Sequence, residues 1–194
     1  MRKTLSFYAI FFMLSMVIMR LSGVISKLIM ARVLTPYEYG IITLVAISLP
    51  NTFQQVTNFC FHELLSHSKE GIKHFLFSMI YSICTSIFIA SLLLLVHEHF
   101  FRFLNLPLSD WKVLFMAFFV SLISVSVLAN ITGLFRGLRR YTPTSIIASL
   151  PSLLRLTLIA IAVYIFRVYD FVIILMIFAT TTLLAIIFVF MKYL

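Results

Sequence analysis

Six runs of mainly apolar residues follow one another along the chain: Leu5 to Ala31, Tyr39 to Phe61, Phe75 to Val96, Val113 to Phe135, Pro143 to Phe166 and Phe171 to Met191. A hydrocarbon core about 30 Å thick takes about 20 helical residues to cross, so each run is long enough to span a bilayer. Lipid offers a backbone no hydrogen-bond partner, and the runs lack the strict alternation of barrel strands, so they are expected to be helices. The connections carry turn and charge signals at Thr35-Pro36, Ser68 to Gly71, Asn105 to Asp110, Arg136 to Thr142 and Arg167 to Asp170. The expectation is an all-α polytopic membrane protein: six transmembrane helices in a single transmembrane domain over residues 1–194.

Composition excludes a soluble fold. The chain is 62% hydrophobic and only 11% charged, against about 45–50% and about 25% in ordinary domains. Its net charge of +9 would suggest nucleic acid in a soluble protein. Here no basic run is interleaved with exposed aromatics, so no nucleic-acid partner is expected, and basic loops instead meet the headgroups of membrane lipids. The start, Met-Arg-Lys, resembles a signal peptide, but the apolar run continues past a signal's short core and carries Arg20 and Lys27. A retained first helix is the better reading. Cys60 and Cys84 fall inside apolar runs and say nothing about redox compartment.

Orientation follows from the basic residues. With the N-terminus inside, the inner segments hold Arg2, Lys3, Lys69, Lys73, Arg136, Arg139, Arg140 and Lys192, and the outer ones Arg32, Arg102, Lys112 and Arg167, eight against four. Both termini are therefore expected on the cytoplasmic side of a cell membrane. Arg32 to Glu38 is then an outer turn, where Pro36 ends helical geometry, Tyr37 and Tyr39 sit at headgroup level, and Gly40 lets the second helix approach a neighbour closely.

Arg20 and Arg155 fall near the midpoints of the first and fifth spans. Each costs about 2.5–3.5 kcal/mol at a helix centre. All six acids, Glu38, Glu63, Glu70, Glu98, Asp110 and Asp170, fall at span ends or in turns and cannot neutralise them at that depth. These cations either snorkel and cap carbonyls of a neighbouring helix or bind an anion. Lys27 shares the helix face of Arg20 seven residues on. In the second span Asn51, Gln55 and Asn58 recur on one side, near Pro50 and Gln54, and such a stripe bonds neighbouring helices or lines a wet cavity. Asn130 and Thr132 belong to the same reading.

His97-Glu98-His99 lies at a membrane edge with its histidines two residues apart, a spacing that does not put both imidazoles on one helical face. No metal site, cofactor or catalytic residue is expected. There is no P-loop, nucleophile elbow or paired intramembrane carboxylate, so ATP hydrolysis and intramembrane proteolysis have no visible machinery.

The stretch LIMARVLTPYEYGIITLV (residues 28–45) resembles the N-terminal signature of the oligosaccharide flippases of the polysaccharide synthesis and export family, within the superfamily of multidrug and lipid-linked-oligosaccharide exporters. ANITGLFRGLRRYTPTS (Ala129 to Ser145) is similar to the inner turn between that family's fourth and fifth helices, and the spacing between the two stretches also fits. The resemblance implies translocation of a lipid-linked, negatively charged glycan precursor, with Arg20, Lys27 and Arg155 holding its pyrophosphate or acidic sugar and Asn51, Gln55 and Asn58 lining the path. Family members usually carry roughly twelve to fourteen helices in two lobes that move against each other. The chain is then expected to be the N-terminal half, a fragment, truncated product or pairing half whose partner is a second lobe or a second copy. Two alternatives stay open: a multidrug-type exporter, which a cationic cavity disfavours, and a non-transporting membrane subunit or remnant that binds a partner lobe.

Overall fold

The computed structural model describes residues 2–53, 71–103, 111–137 and 141–193. Helix α1 (Arg2–Val33) runs unbroken into a tight turn, where Leu34 N donates to Met30 O at 2.8 Å. Thr35 then caps α2 (Pro36–Ile42) in an extended conformation, φ −64° and ψ 154°. Its hydroxyl accepts from Glu38 N (3.3 Å), and Thr35 N donates to Glu38 Oε2 (2.9 Å), a complete capping box. Pro36 occupies the first helical position, where its missing N–H is no loss. The proline thus opens the second helix three residues ahead of the expected start at Tyr39. Among the described residues none approaches Gly40 closely, since a Cβ there would meet nothing within 4 Å, so the expected close contact is not seen there.

Past Ile42 the ladder widens into a π turn, Thr43–Ser48, with Leu49 N donating to Leu44 O, before α-helix resumes over 49–53. The cause is Pro50, which has no N–H for Ala46 O and whose ring would collide with that carbonyl in a regular helix. The chain continues as α3 (Gly71–Leu95), the short α4 (His97–Phe103), α5 (Trp111–Gly137), α6 (Tyr141–Ala160) and α7 (Phe171–Tyr193). A second π turn, Ile161–Ile165, extends α6. That turn closes with Val168 N on Ala162 O (2.9 Å) and with Arg167 at φ 52°, the left-handed conformation that usually goes to glycine.

Among the described residues five helices, not the expected six, are long and apolar enough to cross a membrane: Ile10–Val33, Phe75–Leu95, Trp111–Phe135, Thr142–Ile165 and Phe171–Lys192. The missing one is the run from Tyr39 to Phe61. Its described part is split by the π turn, and the rest lies outside the described residues.

Helices α5, α6 and α7 pack on one another, α3 flanks α5, and α1 flanks α6. One buried cluster joins Met30, Ile42, Leu114, Leu122, Ile159, Leu175 and Phe178, and a second joins Phe75, Ile131, Phe135, Ile147 and Val189. The first gathers the end of α1 and the starts of α2, α5 and α7, so it marks the Thr35 end of the bundle. The second gathers the end of α5 and the starts of α3 and α6. With the short α4 set aside, the helices therefore alternate in direction from α3 to α7. The flanking helices keep broad apolar faces outward: Met13, Val17 and Val24 on α1, and Phe77, Ile80 and Phe88 on α3, are all exposed.

Candidate functional site

Hydroxyls in these helices mostly bond back to their own backbone. Ser15, Thr52, Thr85, Ser91, Thr132 and Thr157 each donate to the carbonyl four residues earlier, at 2.7–2.9 Å. This is the cheapest way to carry a hydroxyl through lipid. Two sets of polar groups depart from it.

The first lies between α3 and α5. Ser78 Oγ donates to Asn130 Oδ1 (2.6 Å), and Asn130 Nδ2 donates to Ser82 Oγ (2.8 Å) and to Ser126 O (3.1 Å). One turn further along, Ser86 Oγ donates to Ser82 O (2.7 Å) and lies 3.4 Å from Ser126 Oγ. All five residues are buried. With every polar atom of the Asn130 side chain engaged, the cluster is helix-to-helix glue. The cavity reading of Asn130 and Thr132 does not hold for this pair: Asn130 is sealed between helices, and Thr132 bonds only its own helix.

The second set lies in the core at the Thr35 end. Thr43 Oγ1, Ser121 Oγ, Ser124 Oγ and Arg155 Nε are buried with no hydrogen-bond partner among the described residues. They come from the π turn after α2, from α5 and from α6, and helical rise puts them about 10–20 Å below that end. The Arg155 guanidinium lies over the Phe178 ring of α7, Cζ 4.3 Å from its centroid. This contact holds the cation by the ring's negative face while leaving its N–H fork free. The described acids do not reach it. Glu38 is turned into its capping box, Asp170 Oδ1 accepts from Ile173 N at the start of α7, and Glu98 belongs to α4. Arg155 is a half-buried cation on α6 with no acidic partner among the described residues.

The other sequence-read residues are placed differently. Arg20 and Lys27 are exposed on α1, on the same outward face as Val17 and Val24, whereas Ser22, Ser26, Ile29 and Met30 form the buried stripe of that helix. Arg20 sits about 15 Å from the Ile10 end of its span by helical rise, in an otherwise apolar surface. Asn51 is exposed near the end of the described part of α2, and Gln55 and Asn58 lie outside the described residues. The structure therefore half-buries Arg155 against Phe178 and leaves Arg20 and Lys27 on an open face of α1. His97 is occupied structurally: Nδ1–H donates to Leu94 O (2.8 Å) and its ring packs on Trp111, centroids 4.6 Å apart.

Sequence reasoning passed over Phe178, the serines of α3, and Ser121, Ser124 and Thr43. The spacing Ser78, Ser82, Ser86 was a readable sign, since small residues every fourth position let helices approach closely. Nothing in the sequence marks Phe178 among 21 phenylalanines.

These elements define the class: a helical polytopic membrane protein in which, among the described residues, Arg20, Lys27 and Arg155 have no carboxylate partner. The chain belongs to the polysaccharide biosynthesis protein family, whose model matches residues 8–194. Comparison with curated proteins and with solved structures finds no match.

Proposed function

We propose that this chain is one lobe of a flippase that moves a lipid-linked, anionic glycan precursor across the cytoplasmic membrane, with both termini on the cytoplasmic side. The observation that carries the substrate class is Arg155. An arginine at this depth with no acid near it among the described residues calls for an anionic partner, and a pyrophosphate or uronic acid supplies one during passage. The Thr43, Ser121 and Ser124 hydroxyls, without hydrogen-bond partners among the described residues, are candidate further donors for phosphate or sugar oxygens.

Arg20 and Lys27 support the two-lobe arrangement. A cation near mid-membrane on an exposed face is tolerated where that face lines water, so the face of α1 is read as one wall of a cleft completed by a second lobe or a second copy. Arg20 then meets the substrate first, and Lys27, about 10 Å further along the same face, takes the charge as it moves outward, with Asn51, Gln55 and Asn58 lining the path. The chain acts as a transporter and not as an enzyme. A multidrug-type exporter is disfavoured because like charge repels cationic substrates.

The test is leaflet exchange of a fluorescent polyprenyl-pyrophosphate oligosaccharide in proteoliposomes. The assembled two-lobe form is expected to exchange it, the chain alone is not, and Arg20→Ala in the assembled form abolishes exchange while Arg20→Lys restores part of it. Normal exchange by Arg20→Ala would remove the anion reading of that face.

A further inference from the structure

At the Thr35 end, a cavity of about 450 Å³ that Arg155 does not line opens between the last turn of α1 and the π-helical end of α6. Ile29, Val33 and Val163 line it together with Arg32, Tyr164 and Tyr169. Its apolar and polar parts are segregated. Ile29 and Val163 are buried, whereas Tyr164 and Tyr169 are 64% and 57% exposed and Arg32 is exposed. The local backbone creates the shape. The π turn Ile161–Ile165 places Val163 inward and Tyr164 outward, and left-handed Arg167 turns the chain back so that Tyr169 closes the rim.

We propose that this groove is a binding site for the phosphate headgroup of an anionic phospholipid. The groove lies at the helix ends, where headgroups lie, and its volume is within the range of about 300–1,000 Å³ usual for small-molecule sites. Arg32 supplies a planar fork matched to phosphate, and the two phenols supply hydroxyl donors at the level where tyrosine is favoured. None of the three carboxylates described at this end lines the groove: Glu38 is held in its capping box, Asp170 caps α7, and Glu98 belongs to α4. The buried aliphatic floor favours a lipid over free phosphate, since it offers a free ion nothing and offers the glycerol and first acyl carbons a surface to cover. A row of interfacial tyrosines and arginines alone would form a flat belt. Here they rim a concavity with an apolar base.

Native mass spectrometry of the full chain in detergent tests this with phosphatidylglycerol, phosphatidylcholine and inorganic phosphate as probes. The chain is expected to retain phosphatidylglycerol about fivefold more than phosphatidylcholine, the scale of one exposed charge pair. Arg32→Gln removes that preference, Arg102→Gln, an exposed arginine on α4, leaves it, and millimolar phosphate does not displace the lipid. Tyr164→Leu, a change at an exposed position, lowers retention independently should Arg32→Gln fail to fold. Equal retention of the two lipids, an unchanged preference in Arg32→Gln, unchanged phosphatidylglycerol retention in Tyr164→Leu, a matching loss of preference in Arg102→Gln, or displacement by phosphate would each overturn the site.

Discussion

Removing the Asn130 side chain is expected to loosen α3 from α5 by an amount the hydrogen bonds set. Asn130→Ala deletes two bonds between helices, at 2.6 and 2.8 Å, and one within α5 at 3.1 Å. Hydrogen bonds between membrane helices average about 0.6 kcal/mol and reach about 1.7 kcal/mol. Two of them amount to roughly 1–3.5 kcal/mol. The stranded Ser78 and Ser82 hydroxyls can fall back on carbonyls four residues earlier, as Thr85 and Ser91 do, so no full desolvation penalty is added. The expected loss is about 2 kcal/mol, towards the middle of that span. Unfolding in mixed micelles, followed by the fluorescence of Trp111, the one tryptophan in the chain, measures it. A double-mutant cycle with Ser78→Ala isolates the short bond and should give a coupling of about 0.6–1.7 kcal/mol. Thr132→Ala is the control, because that hydroxyl reaches only Leu128 O of its own helix. Coupling under about 0.3 kcal/mol, or an equal loss in the control, would refute the account of how these helices are joined.

Other outcomes follow from single features. Thr35→Ala breaks the capping box and should cost about 1 kcal/mol, while Thr35→Ser is near neutral, as read by thermal unfolding in detergent. Arg167→Gly releases a side chain held at φ 52° and should stabilise by about 1 kcal/mol in the same assay. Arg155→Met should raise the melting temperature: it gives up a cation–π contact worth about 0.5–2 kcal/mol and removes a charge that costs about 2.5–3.5 kcal/mol at mid-membrane. A fall in melting temperature would show that Arg155 is a structural brace. Cysteine labelling in a Cys60→Ser, Cys84→Ser background should find position 38 reachable by an impermeant reagent from outside and position 139 closed to it, and the reverse pattern would invert the proposed topology.

The helices were legible because lipid leaves the backbone one solution: length and hydropathy located all five described spans to within a few residues. The boundary at Thr35 was less so, since Pro36 was taken for a stop when Thr35 and Glu38 make it a start. The π turn at Thr43–Ser48 was implicit in Pro50, whose missing donor had to displace a hydrogen bond somewhere in the preceding turn. The candidate site divided along a different line. Charge at depth singled out Arg20 first and Arg155 as a second contact, but depth carries no information about facing. Only packing shows that Arg155 lies over Phe178 and that Arg20 points outward. Asn130 misled for the same reason: an amide reads alike on a wet wall and in a sealed seam, and the serines opposite it decide which.

The most direct test of the central claim is the affinity of the lobe for an anionic lipid-linked glycan, compared between the chain and Arg155→Gln. Calorimetry in detergent with a polyprenyl-pyrophosphate oligosaccharide, against a neutral polyprenyl glycoside of the same sugar, isolates the charge. Hydrogen bonds to a charged partner contribute about 1.5–3 kcal/mol, so Arg155→Gln should weaken the pyrophosphate ligand about 10- to 150-fold and leave the neutral one unchanged. Equal affinity for the two ligands in the unaltered chain, or an unchanged pyrophosphate affinity in Arg155→Gln, would contradict the reading of Arg155 as the anion site.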